Sequence, residues 1–221
     1  MDVHRTGRRC GWALAHRVSS VGDNVVVELV PPGLDGNLTA LSRICPTVTI
    51  EVDIDDARDA ERAMSITISN FGRLDLLVNA PGPATDAAPC GNALLHVNPF
   101  GMINMTRAAA PLFRAQGEGH VFNMHLASRR EHRCATIDEA AALSSISLGD
   151  ALRSLLVPYS GGLTVVRSQL PGSSLGSWRR ASESLYRAAY SASPPATVQI
   201  RPDLEFRRRG CHNSPVTRRV I

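Results

Sequence analysis

Lysine does not occur in this chain of 221 residues, so all 24 of its basic side chains are arginine. No site built from these side chains can therefore contain an ammonium group. Arginine is not a simple replacement, because its guanidinium carries a permanent charge on a planar fork whereas lysine presents a compact ammonium. Chemistry that requires a lysine side chain is excluded.

Long apolar runs are also absent. No stretch approaches the roughly 20 apolar residues that a membrane helix needs. The segment Met1–Arg9 contains no apolar signal-peptide region. We therefore expect a cytoplasmic protein with no membrane partner.

The cysteines do not form a recognisable framework. They are five in number and lack CxxC spacing, which predicts free thiols rather than disulfides or a zinc site. They are Cys10, Cys45, Cys90, Cys134 and Cys211. We expect no metal site.

The formal net charge is a modest +4, and the positive excess lies late, at Arg207–Arg209 and Arg218–Arg219. A cluster of arginines can bind phosphate or nucleic acid. No aromatic-interleaved motif or helix-turn-helix signature accompanies this one. We therefore interpret residues 194–221 as a solvated arginine-rich tail and expect no nucleic-acid partner.

The most informative stretch is an apolar run followed by a turn. Leu74–Val78 is apolar apart from Asp75 and ends in Asn79–Gly82, residues that stop a strand. A strand that is apolar on both faces is typical of the centre of a parallel sheet covered by helices. Ligands bind beyond the carboxyl ends of such strands, so the turn predicts a ligand crevice.

This stretch resembles the strand-four motif of the short-chain dehydrogenases/reductases, usually LVNNAG. Asn79 and Gly82 match it, whereas Ala80 and Pro81 depart. The resemblance extends from Phe71 to Met124 through VNPFG and GEGHVFNM, which are similar to the family's VNxxG and GxGxIVNI. It implies an α/β fold with a doubly wound, Rossmann-like parallel sheet.

That fold is assigned to one domain, residues 1–193, followed by the tail at 194–221. Residues 173–193 are interpreted as a segment on the substrate side. Met1–Arg5 is expected to be the first strand, residues 6–13 a loop, and Trp12–Val21 the first helix. No final strand is predicted after Ser193.

The loop residues TGRRCGWA resemble the family's TGxxxGxG. The resemblance implies that Gly7 and Gly11 approach a pyrophosphate at a helix N-terminus, with Ala13 replacing the last glycine. It also assigns to the cofactor site the turn residues Asn79, Ala80 and Gly82.

The sequence carries opposing signals about the cofactor. Arg8 and Arg9 favour the 2′-phosphate of NADP, whereas Glu28 near the end of the second predicted strand favours NAD. We expect NAD(P) with a slight lean to NADP. Asp53-Ile54 resembles the family's turn beside the adenine ring, while Asp55 or Asp56 suits the cap of the helix that follows.

The catalytic residues of the family are not found. A phenol of pKa about 10 is a poor base unless a cation stabilises its anion, and the family pairs its tyrosine with a lysine. Alignment on the neighbouring strands places Asp138 at the tyrosine position, Ala142 at the lysine position and His125 at a serine position. The resemblance also assigns Asn98 to the family's proton relay.

Three interpretations follow. The first is an impaired family member that retains at most dinucleotide binding. The second is an active NAD(P)-dependent oxidoreductase of an alcohol or carbonyl substrate, in which His125 and Asp138 replace the proton donor. The third is a non-enzymatic binding protein that uses its arginine-rich end. The resemblance also implies a homodimer or tetramer through the helices predicted at Ala93–Arg114 and Ile137–Val157.

Overall fold

The computed structural model describes residues 6–29, 40–80, 99–126, 137–159, 161–168, 175–191, 193–200 and 219–220. Within them a seven-stranded sheet has the strand order β2-β1-β7-β3-β4-β5-β6, and every neighbouring pair is parallel. The strands are β1 (Asn24–Leu29), β2 (Thr47–Glu51), β3 (Leu76–Asn79), β4 (Gly119–Leu126), β5 (Gly161–Ser168), β6 (Thr197–Ile200) and β7 (Arg219–Val220). The helices are α1 (Thr6–Ser19), α2 (Ala57–Phe71), α3 (Gly101–Gln116), α4 (Ile137–Leu156) and α5 (Leu175–Ala189).

Helices cover both faces of this sheet, which confirms the predicted α/β fold. Val25 and Leu76 point into a core shared with α1 and α5. Their neighbours Val26 and Leu77 point into the opposite core, formed with α2, α3 and α4. Burial on both sides explains why these strands lack the polar alternation of a half-exposed sheet.

The turn before α2 follows the sequence prediction. Asp56 is the N-cap, and its side chain accepts a hydrogen bond from the backbone N–H of Arg58. The helix ends at Gly72, whose φ of 74° is easily adopted only by glycine. Of Asp55 and Asp56, the two candidate caps that the sequence left open, the structure uses Asp56.

The expected loop at residues 6–13 is wrong, because α1 already begins at Thr6. Leu14 and Val18 lie one turn apart and are fully buried, so they anchor the helix on the sheet. No proline interrupts the residues before them, and the helix continues back through both glycines of the expected loop. Met1–Arg5, the expected first strand, lies outside the described residues.

The prediction of no strand after Ser193 is also wrong. β6 pairs with β5 at the sheet edge. β7 lies between β1 and β3, near the middle of the sheet. The sheet therefore includes residues from the segment that was assigned to the tail.

Residues 175–189 of the expected substrate-side segment form a helix packed on the sheet. α5 buries Ala181 and Leu185 in the core shared with Leu14. Arg17 of α1 donates from Nε to Glu183 Oε2 at 2.6 Å. The interpretation of residues 173–193 as a cover for substrate stays a prediction.

None of the helices in the described residues is long and apolar enough to cross a membrane. Cys45 is a buried free thiol, as expected. α3 begins at Gly101 and is preceded by π-helical backbone at Pro99 and Phe100, while residues 93–98 of the predicted helix lie outside the described residues.

Candidate functional site

Two asparagines meet where β3 ends. Asn79 and Asn123 are partners in the β3–β4 register, and Asn79 Nδ2 donates to Asn123 Oδ1 at 2.7 Å. Asn123 is 2% exposed, and its Nδ2 has no hydrogen-bond partner among the described residues. A buried amide donor without an acceptor costs about 1–3 kcal/mol, so this edge of the sheet carries an unused polar group.

The first helix comes close to the same edge. A Cβ placed on Gly11 would lie 3.1 Å from the Cβ of Ala80, the residue after β3. The turn after α1 leads directly into the start of β1, so α1 runs antiparallel to the strands and its N-terminus lies at the carboxyl edge of the sheet. The N–H groups of its first turn, which have no acceptor within the helix, and the positive end of the helix dipole therefore face that edge.

This first turn contains Gly7, Arg8 and Arg9 in helical backbone. The first four backbone N–H groups of a helix have no intrahelical acceptor, so they can donate to a phosphate. The expected loop would have offered backbone N–H groups to a phosphate in the same way. The structure thus brings Gly11 and Ala80 together at the predicted position. Ala13 lies in α1, partly buried against the adjoining core.

The turn after β2 is attached to α3. Asn104 Nδ2 donates to the carbonyl oxygens of Ile54 at 3.0 Å and Asp55 at 3.1 Å. A Cβ on Gly101 would lie 2.4 Å from Ile54 Cδ1, so a larger residue at this position would require the side chain of Ile54 to shift. The sequence did not single out Asn104 or Gly101 for this role.

The carboxylate of Asp53 stabilises the turn itself. Asp53 Oδ1 accepts from the backbone N–H of Asp55 at 3.1 Å, and the Asp53 N–H donates to Asp59 Oδ2 at 2.9 Å. The hydrogen bond from Arg62, followed by that from Asp53, lowers the pKa of Asp59. Asp53 Oδ1 thus has a structural role in the turn. The contact of Asp53 with an adenine ring stays a prediction.

Two further predicted residues are placed by their backbone. His125 is the next-to-last residue of β4, at the carboxyl end, and Asp138 lies in the first turn of α4. Asn98 and Gly82 lie outside the described residues. Sequence reasoning missed Asn123 as a site residue, although the resemblance of GEGHVFNM had aligned it with the family's asparagine at this position.

The amino edge of the sheet has a separate polar cluster. His120 is 8% exposed, and its Nε2 lies 2.8 Å from Thr164 Oγ1. Thr164 donates its hydroxyl proton to the carbonyl oxygen of Pro195 at 2.6 Å. Because that proton is already used, Nε2 must carry the imidazole proton and donate it to Thr164.

Charged side chains surround this histidine. Arg153 donates to the carbonyl oxygens of Leu163 at 3.0 Å and Ala196 at 2.8 Å, and it also pairs with Asp150. His120, Arg153 and Ala196 are among the residues that line an open cleft of about 460 Å³. Among the described residues there is no cluster of three or more groups that could hold a metal ion.

Known proteins resemble this chain over much of its length. The family model described as enoyl-(acyl carrier protein) reductase matches residues 8–155. Putative ketoacyl reductase 2 of the granaticin polyketide synthase from Streptomyces violaceoruber is 30% identical over 123 residues, covering 52% of this chain and 49% of that protein. Oxidoreductase BOA17 from Botryotinia fuckeliana is 27% identical over 130 residues, covering 54% and 46%. The chain thus spans about half the length of these curated relatives.

Solved structures share the fold. A metagenomic short-chain oxidoreductase in complex with NADP has a TM-score of 0.74 and 19% identity, covering 90% of this chain and 95% of that one. A short-chain dehydrogenase from Streptomyces avermitilis has a TM-score of 0.69 and 18% identity, covering 87% and 84%. At these identities the likeness concerns the fold alone.

Proposed function

This chain belongs to the short-chain dehydrogenase/reductase family, and on that premise we propose that it binds a nicotinamide dinucleotide but is impaired in the family's reaction. That reaction moves a hydride at the nicotinamide while a tyrosine handles the proton of an alcohol or carbonyl. The proposed site is the carboxyl edge of the sheet, where α1, β3 and β4 meet.

The absence of lysine carries the proposal of impairment. In α4, Asp138 and Ala142 stand four residues apart, which places them on one helix face as the family requires of its pair. A carboxylate and a methyl group replace the phenol and the ammonium. A carboxyl group loses its proton far below neutral pH, so at neutral pH it is a poor proton donor unless its pKa is raised.

The contacts around α1 support dinucleotide binding. Gly11 packs closely against Ala80, so α1 lies directly beside the end of β3, where ligands of open α/β sheets bind. The first turn of α1 directs N–H groups and positive potential toward that position. A structural neighbour that holds NADP adds support, and Arg8 and Arg9 favour the additional phosphate.

Fluorescence titration with NADPH and NADH tests binding. We expect NADPH to bind, and the double variant R8A/R9A to weaken NADPH by about tenfold while changing NADH less, because charge-assisted hydrogen bonds to a phosphate contribute about 1.5–3 kcal/mol. The matched control R43A/R107A removes two exposed arginines elsewhere in the described residues. No fluorescence change on titration of the unaltered chain would refute the binding proposal. Equal losses of NADPH affinity in both double variants would refute the role of Arg8 and Arg9.

Absorbance at the NADPH band during incubation with carbonyl substrates tests the impairment. We expect turnover at least about 10²-fold below that of an active family member, since a positioned acid or base contributes about 10²–10⁴-fold. The variant D138Y/A142K should gain activity, whereas D138Y alone should not, because a phenol without a neighbouring cation to stabilise its anion is too weak an acid to donate its proton readily. Ordinary turnover by the unaltered chain would overturn the proposal.

A second candidate is an active oxidoreductase that uses His125 with Asp138. The position of His125 at the carboxyl end of β4 favours it, because ligands bind beyond such ends and imidazole titrates near neutral pH. Turnover that disappears in H125A would select this candidate. We also propose self-association through α3 and α4, for which light scattering is the measurement.

A further inference from the structure

The turn at residues 52–56 joins β2 to α2 and lies at the carboxyl edge of the sheet, beyond which ligands of open α/β sheets bind. On the proposed function, the pyrophosphate of the dinucleotide lies at the N-terminus of α1. The nicotinamide half extends from there toward β4, whose carboxyl end carries His125. The adenosine half then extends the other way along the edge, over β1 and β2, and reaches this turn.

The backbone of the turn is held firmly, although most of its side chains are exposed. The Asp56 N–H donates to the carbonyl oxygen of Asp53 at 2.9 Å. From α2, Arg62 Nη2 donates to the carbonyl oxygen of Glu51, the last residue of β2, at 2.6 Å. Hydrogen bonds at the surface compete with water and add little to stability. Their effect here is to keep an exposed turn in one conformation.

Asn104 holds the same turn from a different part of the chain. It lies in the N-terminal part of α3, and its Nδ2 donates to the carbonyl oxygens of Ile54 at 3.0 Å and Asp55 at 3.1 Å. α3 follows β3, which is separated from β2 in the sheet by β1 and β7. One amide group therefore fixes two successive peptide groups of the turn from across the sheet.

We propose that Asn104 is a positioning residue for the adenosine half of the dinucleotide. It acts through the peptide groups of Ile54 and Asp55, which it holds in the conformation that receives this half. A turn that is already ordered loses less conformational entropy on binding than one that must first be ordered. This inference rests on the proposed function, and the tests distinguish the failure of one from the failure of the other.

Titration of N104L with two ligands gives the first test. Leucine keeps the approximate size of the side chain and removes the donor without adding charge. We expect NADPH and adenosine 2′,5′-bisphosphate both to bind N104L about fivefold more weakly, because ordering the released turn costs about as much as one hydrogen bond contributes. N70L is the matched control, since Asn70 Nδ2 donates to the carbonyl oxygen of Ile66 within its own helix.

The outcomes of this titration separate the two proposals. If the unaltered chain binds neither ligand, the proposed function fails and this inference fails with it. If the unaltered chain binds both and N104L binds them equally well, only the role of Asn104 is refuted. A loss of NADPH affinity with normal binding of the bisphosphate would place the effect at the nicotinamide half and would also refute it.

Hydrogen exchange without ligand measures the turn itself. The backbone N–H groups of Asp55 and Asp56 donate to Asp53 within the turn. In N104L they should exchange at least about threefold faster, while exchange in β4 and β5 stays unchanged. Unchanged exchange at these two positions, or equal acceleration throughout the sheet, would contradict a local positioning role. If N104L does not fold, N104A replaces it with the same expected results.

Discussion

The two edges of the sheet treat their buried polar groups differently. At the amino edge, His120, Thr164 and Pro195 form a continuous chain of hydrogen bonds, and Arg153 binds two carbonyl oxygens. At the carboxyl edge, Asn123 Nδ2 is buried without a hydrogen-bond partner among the described residues. A satisfied network stabilises a fold, whereas an unused donor costs stability and is available to something else.

Ion pairs make the amino edge still more rigid. Arg73 bridges the nearly buried carboxylate of Asp75 and the exposed Glu118, and its hydrogen bond to Asp75 is the main cause that raises the pKa of Arg73. The side chain of Gln116 both donates to and accepts from the backbone of Leu74. The ion pairs and hydrogen bonds of the amino edge thus stabilise the sheet, whereas the carboxyl edge is where ligands bind in open α/β sheets generally.

Replacing Thr164 with valine should disrupt the hydrogen-bond network of the amino edge and give the largest loss of stability. The change leaves the Nε2 proton of His120 without its acceptor and the carbonyl of Pro195 without this donor. We expect a loss of about 2 kcal/mol and an apparent Tm lower by about 4–8 °C in calorimetry. Thr164→Ser keeps the hydroxyl and should lose less than half as much.

The affinity of T164V for NADPH is the second measurement on this variant. Because Thr164 hydrogen-bonds His120 and Pro195 and not Asn79 or Asn123, T164V should leave the NADPH titration unchanged at a temperature where the variant is folded. An unchanged melting temperature would mean that the amino-edge network does not contribute to stability.

Replacing Asn123 with leucine should give the opposite pattern. The variant loses the acceptor of Asn79 but also removes the buried unpartnered donor, so the two costs nearly cancel and the free energy of unfolding should change by less than about 1 kcal/mol. On the proposed function, NADPH affinity should fall several-fold because Asn79 is no longer held. A stability loss as large as that of T164V, with normal NADPH binding, would mean that Asn123 stabilises the fold as Thr164 does and would contradict the difference between the two edges.

The smallest effect is expected at a surface pair outside both edges. Partial burial raises the pKa of Glu183, but hydrogen bonds from Arg17 and Arg187 outweigh it and leave the pKa below its ordinary value of 4.5. A lowered carboxyl pKa stabilises the fold fully above that ordinary value, and the contribution disappears as pH falls through the folded-state pKa.

Urea unfolding of E183Q and the unaltered chain measures this contribution. The difference should be under about 1 kcal/mol at about pH 7, because both partners are partly exposed. It should shrink toward zero as the pH falls below the ordinary pKa of 4.5 and through the lower folded-state pKa. A difference that grows on acidification would contradict the assignment of the shift to these two arginines.

Much of the fold could be predicted because its signals are local. The apolar run at Leu74–Val78 and the cap at Asp56 depend on neighbours within a few residues. The start of α1 was missed because glycine spacing indicated a loop, while burial of Leu14 and Val18 favours a helix that extends back to Thr6.

The remaining features depend on distant partners. Arg219–Val220 forms a strand only because two other strands leave a place for it, and nothing in its own composition indicates this. The pairing of Asn79 with Asn123 follows from the register of β3 and β4, which the sequence does not state. His120 was passed over because its partners, Thr164 and Pro195, lie on β5 and just before β6.

The position of β7 also bears on the order of folding. β4 and β5 pair over eight residues and lie within about 50 residues of each other in the sequence, so they can assemble early from nearby chain. Val220, by contrast, must find Val25 and Leu76, which were synthesised long before it, and such distant contacts form slowly. During synthesis, β7 can therefore pair with β1 and β3 only late. Until then the facing edges of β1 and β3 can pair with the wrong segment.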